Sequence, residues 1–399
     1  MGAVAPAFMP DAILKRAIRE HFTNLGFTKG SDGLLQLPGA GKDVVRRLHA
    51  GQREEKIASS RRFIDKNLNR LLGHFAEGEE IEPENIDLRL IRVKSETWQA
   101  DLFRLASLTW SVPVSSGFGR RMRYLVWDVG HDRLAGLIAL GDPVFNLGVR
   151  DSLIGWSVRD RESRLVGIMD AYVLGAIPPY NMLLGGKAVA CLVRSRDVLD
   201  DFGERYGGSV GIISGKAKNA SLLAVTTSSS MGRSSVYNRL KLSGEPYFTP
   251  IGYTLGWGHF HITEELFSQM RAFLRLRDHH YADQHEYGSG PNWRLRTIKA
   301  ALTELGVSES VLRHGIRREV FIAPMAANSF EILREGKGVP NTTALDTVEE
   351  ISRKAVDRWM IPRALRSSDF RQWRRTELQR LLGQLAETKH GSLGEARTA

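Results

Sequence analysis

Between Ala139 and Trp257 the chain places small and polar residues where a plain core would carry leucine and valine, and this restricts the fold more than any other feature. Four signatures recur there: Ala139-Leu-Gly-Asp-Pro-Val-Phe-Asn146, Met169-Asp-Ala-Tyr-Val-Leu-Gly-Ala-Ile-Pro-Pro-Tyr-Asn181, Gly185-Gly-Lys187 and Ser228-Ser-Ser-Met-Gly-Arg-Ser-Ser-Val-Tyr-Asn-Arg-Leu240. Set at strand and helix boundaries, such residues let something come close to the backbone, either a ligand or another strand.

The spacing around these signatures predicts alternating strands and helices. A helix is expected over residues 11–27 with Gly26 as its C-cap, and one or two more over 43–76. Alternation predicts a strand over 88–93, a helix follows through Trp110, and strands 123–128 and 134–140 form a hairpin. A charged helix over 157–166, a strand over 167–177 and a helix over 181–194 come next. Strands over 209–213 and 221–227, a helix over 234–242 and a strand over 252–262 complete the central unit. The fold class is α/β or α+β, a mixed sheet flanked by N- and C-terminal helical segments. The expected domains are an N-terminal helical region (1–95), a central α/β domain (96–265), a basic helical region (266–385) and a disordered tail (386–399).

The chain has 399 residues and a hydrophobic share of 42%, enough for a sizeable core. Its charge is less ordinary: 56 basic against 45 acidic residues give +11. Much of the excess is arginine, whose planar fork suits phosphate, so a polyanion is the first partner to consider; a generally basic surface is the alternative. The helix from Trp359 to Arg380, rich in arginine and tryptophan, reads either as a nucleic-acid contact or as a helical tail on the sheet. A single cysteine, Cys191, excludes an internal disulfide and any cysteine-based zinc site. No signal-like N-terminus and no apolar run of roughly 18 residues is present, so the reading is a soluble cytoplasmic protein without membrane contact.

Five groups of residues carry candidate chemistry. Gly185, Gly186 and Lys187 follow a strand and open a helix, where free N–H groups hold phosphate; close packing of helix on sheet uses glycine equally well. Arg233, Ser234, Tyr237 and Asn238 run from a strand into the expected 234–242 helix: Ser234 as N-cap, Arg233 and Asn238 toward phosphate or a base edge, Tyr237 as a general acid. The order of strand, glycine-containing helix start, strand and tyrosine-bearing helix is similar to an acetyltransferase-like core, which would hold a coenzyme pyrophosphate at the first helix start. His259 and His261 alternate on the expected strand 252–262 at a spacing that suits a metal, with Glu264, Glu265, His279, His280 or His285 as a third ligand; lacking a recognisable metal spacing, they also read as ordinary polar residues. Asp170 interrupts an apolar strand, which marks either a site or a salt bridge to an arginine among 159–164. Trp293 beside Arg294 joins an aromatic ring to charge, a pairing that suits single-stranded nucleic acid, or a simply buried tryptophan.

The longer motifs have a family resemblance. Phe103-Arg-Leu-Ala-Ser-Leu-Thr-Trp-Ser-Val-Pro-Val-Ser115, Gly136 to Leu147, Arg150-Asp-Ser-Leu-Ile-Gly-Trp156, Met169 to Tyr180, Gly232-Arg-Ser-Ser-Val-Tyr-Asn-Arg-Leu240 and Gly256-Trp-Gly-His-Phe-His261 closely resemble the Druantia anti-phage protein A family. The likeness runs from the N-terminal helices to about residue 325. It implies one component of a multi-gene bacterial defence against bacteriophage, acting beside other proteins of its operon, including a large helicase-like partner. It carries over no catalytic residues and no cofactor. Three functions follow from the residues: a nucleic-acid-engaging subunit, a group-transfer enzyme acting on nucleic acid or protein, and a metal-dependent nuclease using Asp170 with His259 and His261.

Overall fold

The computed structural model describes residues 11–30, 35–37, 39, 41–114, 119–210, 217–218, 220–283 and 293–383. The expected tail (386–399), His285, the turn before Trp293 and most of the 209–213 strand lie outside them. Helices are α1 (Asp11–Asn24), α2 (Lys42–Ser59), α3 (Arg61–Leu71), α4 (Trp98–Ser107), α5 (Gly148–Ile154), α6 (Val158–Arg164), α7 (Gly185–Leu192), α8 (Arg196–Tyr206), α9 (Glu264–Arg275), α10 (Trp293–Glu304), α11 (Ser329–Glu335), α12 (Val348–Ala355), α13 (Ile361–Arg366) and α14 (Glu377–Leu381). The main strands are β1 (Leu88–Arg92), β2 (Arg121–Asp128), β3 (Arg133–Gly141), β4 (Ile168–Ala176), β5 (Ala224–Ser228), β6 (Thr249–Tyr253) and β7 (Glu319–Pro324).

The seven strands form one mixed sheet in the order β6-β7-β5-β4-β3-β2-β1. Neighbours run antiparallel except β4 and β5, which pair in parallel over Ile168–Asp170 against Ala224–Thr226. Because side chains alternate across a strand, each strand feeds two cores. Met122, Tyr124, Ile138, Met169, Val225 and Phe321 share one apolar cluster with α7 and α12. Leu125, Trp127, Leu137 and Val173 share another with α3 and α4. Ile168, Ala224 and Ile322 pack with residues of α5 and α11. Helices on both faces bury both sides, which is why β3 and β4 read as near-continuous apolar runs.

The chain separates into two compact units. The first comprises Met1–Lys56, Ser111–Pro113 and Thr254–Arg318; the second comprises Ile57–Trp110, Val114–Tyr253 and Glu319–Ala399 and contains the sheet. In the first, Leu14, Ile18 and Phe22 of α1 and Leu266, Phe267, Met270 and Phe273 of α9 are buried.

Several expected elements differ. Residues 234–242 form no helix: the Ser234 hydroxyl accepts the Val236 and Tyr237 amides in a local turn, and Arg239 has φ 57. A short side chain bonding its own backbone competes with helix propagation. The chain then makes a small hairpin, Lys241–Leu242 with Glu245–Pro246. The strand expected over 252–262 ends at Tyr253, and His259 and His261 lie in a turn instead. The 181–194 helix starts at Gly185, since Leu184 turns left-handed (φ 62) after a 3-10 turn over Tyr180–Leu183. Beyond residue 263 the chain is not wholly helical: β7 enters the sheet between β5 and the edge strand β6. The 359–380 stretch is not one helix either, because α13 ends at Arg366 and a 3-10 turn spans Asp369–Gln372.

Candidate nucleic-acid interface

At the start of α7 close packing requires glycine at 185 but not at 186. A Cβ on Gly185 would come within 2.5 Å of the Tyr180 carbonyl oxygen, and one on Gly186 would meet Val236 at 3.7 Å. The Lys187 ammonium lies 5.8 Å from the Trp359 ring. The 229–240 segment is held against β7: the buried Glu319 accepts the Ser234 amide at 2.9 Å, and its main chain pairs with Ser229 and Gly232. Tyr237 donates its hydroxyl to the Leu174 carbonyl at 2.8 Å, and burial raises its pKa. A proton delivered from this phenol must first leave that bond. Arg233 is exposed and Asn238 half-buried.

Asp170 pairs through its backbone with both neighbours in the sheet, and its carboxylate accepts the Thr226 hydroxyl at 2.7 Å. Burial raises its pKa to about 6, opposed by that hydrogen bond and by the Arg150 charge. The salt bridge expected from residues 159–164 does not form; Arg161 instead joins Asp151 at 2.7 Å and Arg164 joins Asp160 at 3.1 Å. Arg150, wholly buried, ties this region together through Asp151 and the carbonyls of Val144 and Phe145.

In the first unit, His261 donates Nε2–H to the Val311 carbonyl at 2.9 Å, and His49 donates to Gln52 at 3.1 Å. Phe260 stacks on His49 at 4.1 Å and lies edge-on to His314 at 4.8 Å. Burial lowers the pKa of His49, His259 and His261 to about 4 and that of His314 to about 3. Among the described residues no group of three or more His, Cys, Asp or Glu converges as a metal site. Trp293 sits edge-on to Phe267 at 5.4 Å with Arg271 over its ring at 5.2 Å. Arg294 pairs with Glu264 and donates to the Ile262 carbonyl at 2.8 Å.

Three of the C-terminal arginines are committed to acids of their own unit, while Arg363 and Arg366 donate to the carbonyls of Met182 and Pro362. Arg371 pairs with Glu82, Arg374 with Glu79, and Arg375 with both Glu77 (2.7 Å) and Glu80 (2.5 Å). Their charge is largely cancelled where they stand.

The sheet edge carries a different arrangement, which the sequence reading missed. A cleft of about 770 Å³ opens where β1 ends, β2 begins and α8 delivers its last turn. Six cations line it: Arg92, Lys94, Arg120, Arg121, Arg123 and Arg205; Glu204 is the one carboxylate among its lining residues. Arg92 is engaged by Glu204 at 2.6 Å and Asp201 at 3.1 Å. Arg120 is locked on Asp142 at 2.6 Å and on the carbonyls of Val166 and Ile168. That lock needs Gly119, whose φ of +82 and closeness to Asp142 leave no room for a side chain. Lys94, Arg121, Arg123 and Arg205 form no ion pair with a carboxylate among the described residues, although the Arg92 hydrogen bond and, from a distance, the Lys94 charge lower the Glu204 pKa.

Local structure fixes these four. The Tyr206 hydroxyl accepts the Arg121 amide at 2.7 Å and donates to the Arg121 carbonyl at 2.9 Å, clamping the end of α8 to β2. Arg205 lies in the last turn of α8, where the helix dipole favours a cation. Aromatic rings back three guanidinium groups: Tyr172 under Arg121 at 5.3 Å, Phe103 under Arg123 at 5.7 Å and Tyr206 under Arg205 at 5.5 Å. The sequence offers a single local signal for this cluster, the run Arg120-Arg-Met-Arg123 at the opening of a strand.

Two comparisons with known proteins bear on this chain. The family described as Druantia protein DruA matches residues 39–335, a span that includes the cleft. The Druantia protein DruA of Escherichia coli strain UMEA 4076-1 is 58% identical over 368 residues, covering 92% of this chain and 91% of that protein. No solved structure matches.

Proposed function

Because the chain belongs to the Druantia protein DruA family and is a component of the Druantia anti-phage defence system, we propose that it is the subunit that engages nucleic acid. The observation that carries this reading is the cleft with four cations, Lys94, Arg121, Arg123 and Arg205, lacking carboxylate partners among the described residues. Desolvating such a cluster is unfavourable unless an anion enters, and a polynucleotide supplies several phosphates at fixed spacing. In this reading the protein works in the cytoplasm beside a helicase-like protein of the same system. No helix among the described residues is long and apolar enough to cross a membrane.

The test is fluorescence anisotropy of the purified protein with labelled DNA and RNA at several salt concentrations. Binding that weakens steeply with salt, and that is lost on Arg121→Ala with Arg123→Ala, supports the reading. Absent or salt-independent binding refutes it.

A second reading, group transfer on an acetyltransferase-like core, has one observation in its favour. The parallel strands β4 and β5 part after Asp170 and Thr226, and a glycine-started helix follows β4. Tyr237 fills the edge of that gap through its bond to Leu174, so a coenzyme would have to displace it. A thermal shift on adding acetyl-coenzyme A would support this reading, and an unchanged melting temperature would count against it.

A further inference from the structure

We infer that the cleft takes a short run of a single polynucleotide strand and excludes duplex, an inference that rests on the nucleic-acid reading above. Proteins that read a duplex send a convex element, a helix or an arm, into its grooves, the major one about 12 Å wide. Here the cations line a concavity of about 770 Å³. That volume lies in the range of clefts that enclose a small ligand and leaves space for a few nucleotides of one strand.

Two of the cations are spaced along one strand. Arg121 and Arg123 lie two residues apart on β2 and face the same side, so their Cα atoms are separated by about 7 Å. That interval is comparable with the distance between successive phosphates of an extended strand. Arg205 on α8 and Lys94 after β1 add charge from the other walls. The rings of Tyr172, Phe103 and Tyr206 lie against the guanidinium groups of Arg121, Arg123 and Arg205, and aromatic rings beside cations are the groups on which bases of a single strand stack.

The charge reverses outside the cleft. Asp200 on α8 and Glu96, two residues past Lys94, are exposed and do not line the cleft, whereas Asp201 and Glu204 already engage Arg92 and Glu204 belongs to the cleft wall. A duplex carries one charge per roughly 1.7 Å of axis over both strands. Its second strand would lie against Asp200 and Glu96, whereas a single strand ends its contact at the rim.

The experiment titrates the full-length protein with fluorescein-labelled oligothymidylates of about 4, 8 and 16 nucleotides and with a blunt duplex of about 16 base pairs. Single strands are expected to bind, with affinity levelling off by about 8 nucleotides, and the duplex to bind at least about tenfold more weakly. The slope of log K against log salt is expected near −3, at about 0.7 for each phosphate met by the four cations. Lys94 is exposed and has no carboxylate partner among the described residues, so Lys94→Ala leaves the fold intact and should lower that slope by about 0.7. Arg121→Ala with Arg123→Ala should cost the single strand at least about tenfold in affinity. Duplex binding as tight as single-strand binding overturns the inference, as does a slope unmoved by Lys94→Ala. Failure of both duplex and single strand to bind overturns the nucleic-acid reading itself.

Discussion

Lowering the pH from 7 to 5 should destabilise the first unit through three imidazoles. His49, His261 and His314 are 1%, 2% and 4% exposed. They surround Phe260 and face His21, His259 and Arg318, with no carboxylate paired to them among the described residues. Burial holds them neutral, at about 4, 4 and 3, against about 6.5 in an unfolded chain. The folded values are depressed, so the unfolded chain takes up protons first as pH falls below 6.5. Stability is therefore unaffected above pH 7 and is lost through the window from 6.5 to about 4. At pH 5 each group disfavours the folded state by about 2 kcal/mol, and the three together by about 6 kcal/mol, comparable with the whole stability of many domains. The assay is thermal unfolding followed by circular dichroism at pH 7, 6 and 5. His49→Phe keeps the stack on Phe260 and removes one titration, so its loss between pH 7 and 5 should be smaller by about 2 kcal/mol. A melting temperature independent of pH over this range, or a His49→Phe variant as acid-sensitive as the parent, would refute the reasoning.

Other expectations follow from the second unit. Arg150→Met should cost about 3–5 kcal/mol, because it strands the Asp151 carboxylate and two carbonyls in the interior; chemical denaturation measures it, and a loss under 1 kcal/mol would contradict the buried network. Gly119→Ala should steepen the salt dependence of oligonucleotide binding while the protein stays folded, since the new Cβ would push Asp142 off Arg120 and leave a fifth cleft cation without its counter-charge; an unchanged slope would separate that lock from the cleft. Arg371→Ala with Arg374→Ala should leave the salt dependence of binding unchanged, because both pair with glutamates already; a shallower slope would show that these arginines meet phosphate. Asp170→Asn should stabilise the protein by about 1–2 kcal/mol at pH 8 and little at pH 4, because a carboxylate raised from 3.8 to about 6 costs the fold increasingly between those values and fully above 6. The full shift would give about 3 kcal/mol, reduced here because the residue keeps some exposed surface. A destabilised variant at pH 8 would mean that the charge on Asp170 is needed by the fold.

The legible parts of the fold were those written in local periodicity. The β2–β3 hairpin, β4, α1 with its Gly26 cap and the Ser157-capped α6 all announce themselves within a dozen residues. The helix α8 carries a signal of the same kind, the N-cap Ser195 with Val198 and Phe202 at helical spacing, yet it is missing from the expected elements. The run Val320-Phe-Ile-Ala323 is a buried strand by composition, but its place between β5 and β6 is set by pairing with segments nearly 70 and 100 residues earlier. No local pattern encodes such a partner. The 234–242 segment failed in the opposite sense: its residues looked like a capped helix, yet the same Ser234 hydroxyl that would cap one closes a turn, and Glu319 holds that turn in place.

The same distinction governs the site. Net charge of +11 pointed to a polyanion, but it could not say which cations are free. In the arginine-rich segment 363–380, Arg371, Arg374 and Arg375 spend their charge on Glu77, Glu79, Glu80 and Glu82, nearly 300 residues away in the chain, while Arg380 pairs with Glu377. The cleft cations left without a carboxylate partner among the described residues come from three separate segments, at Lys94, at Arg121 and Arg123, and at Arg205, none of them conspicuous alone. An ion pair removes a basic residue from the count available to phosphate, and pairing is a property of the folded chain. Reading a binding surface from composition therefore overweights clusters that have their counter-charge built in and overlooks those assembled by the sheet edge. In this protein the β1–β2 edge and the end of α8 assemble such a cluster, and on the nucleic-acid reading proposed above its four cations, not the total of 56 basic residues, set the number of phosphates that salt dependence should report.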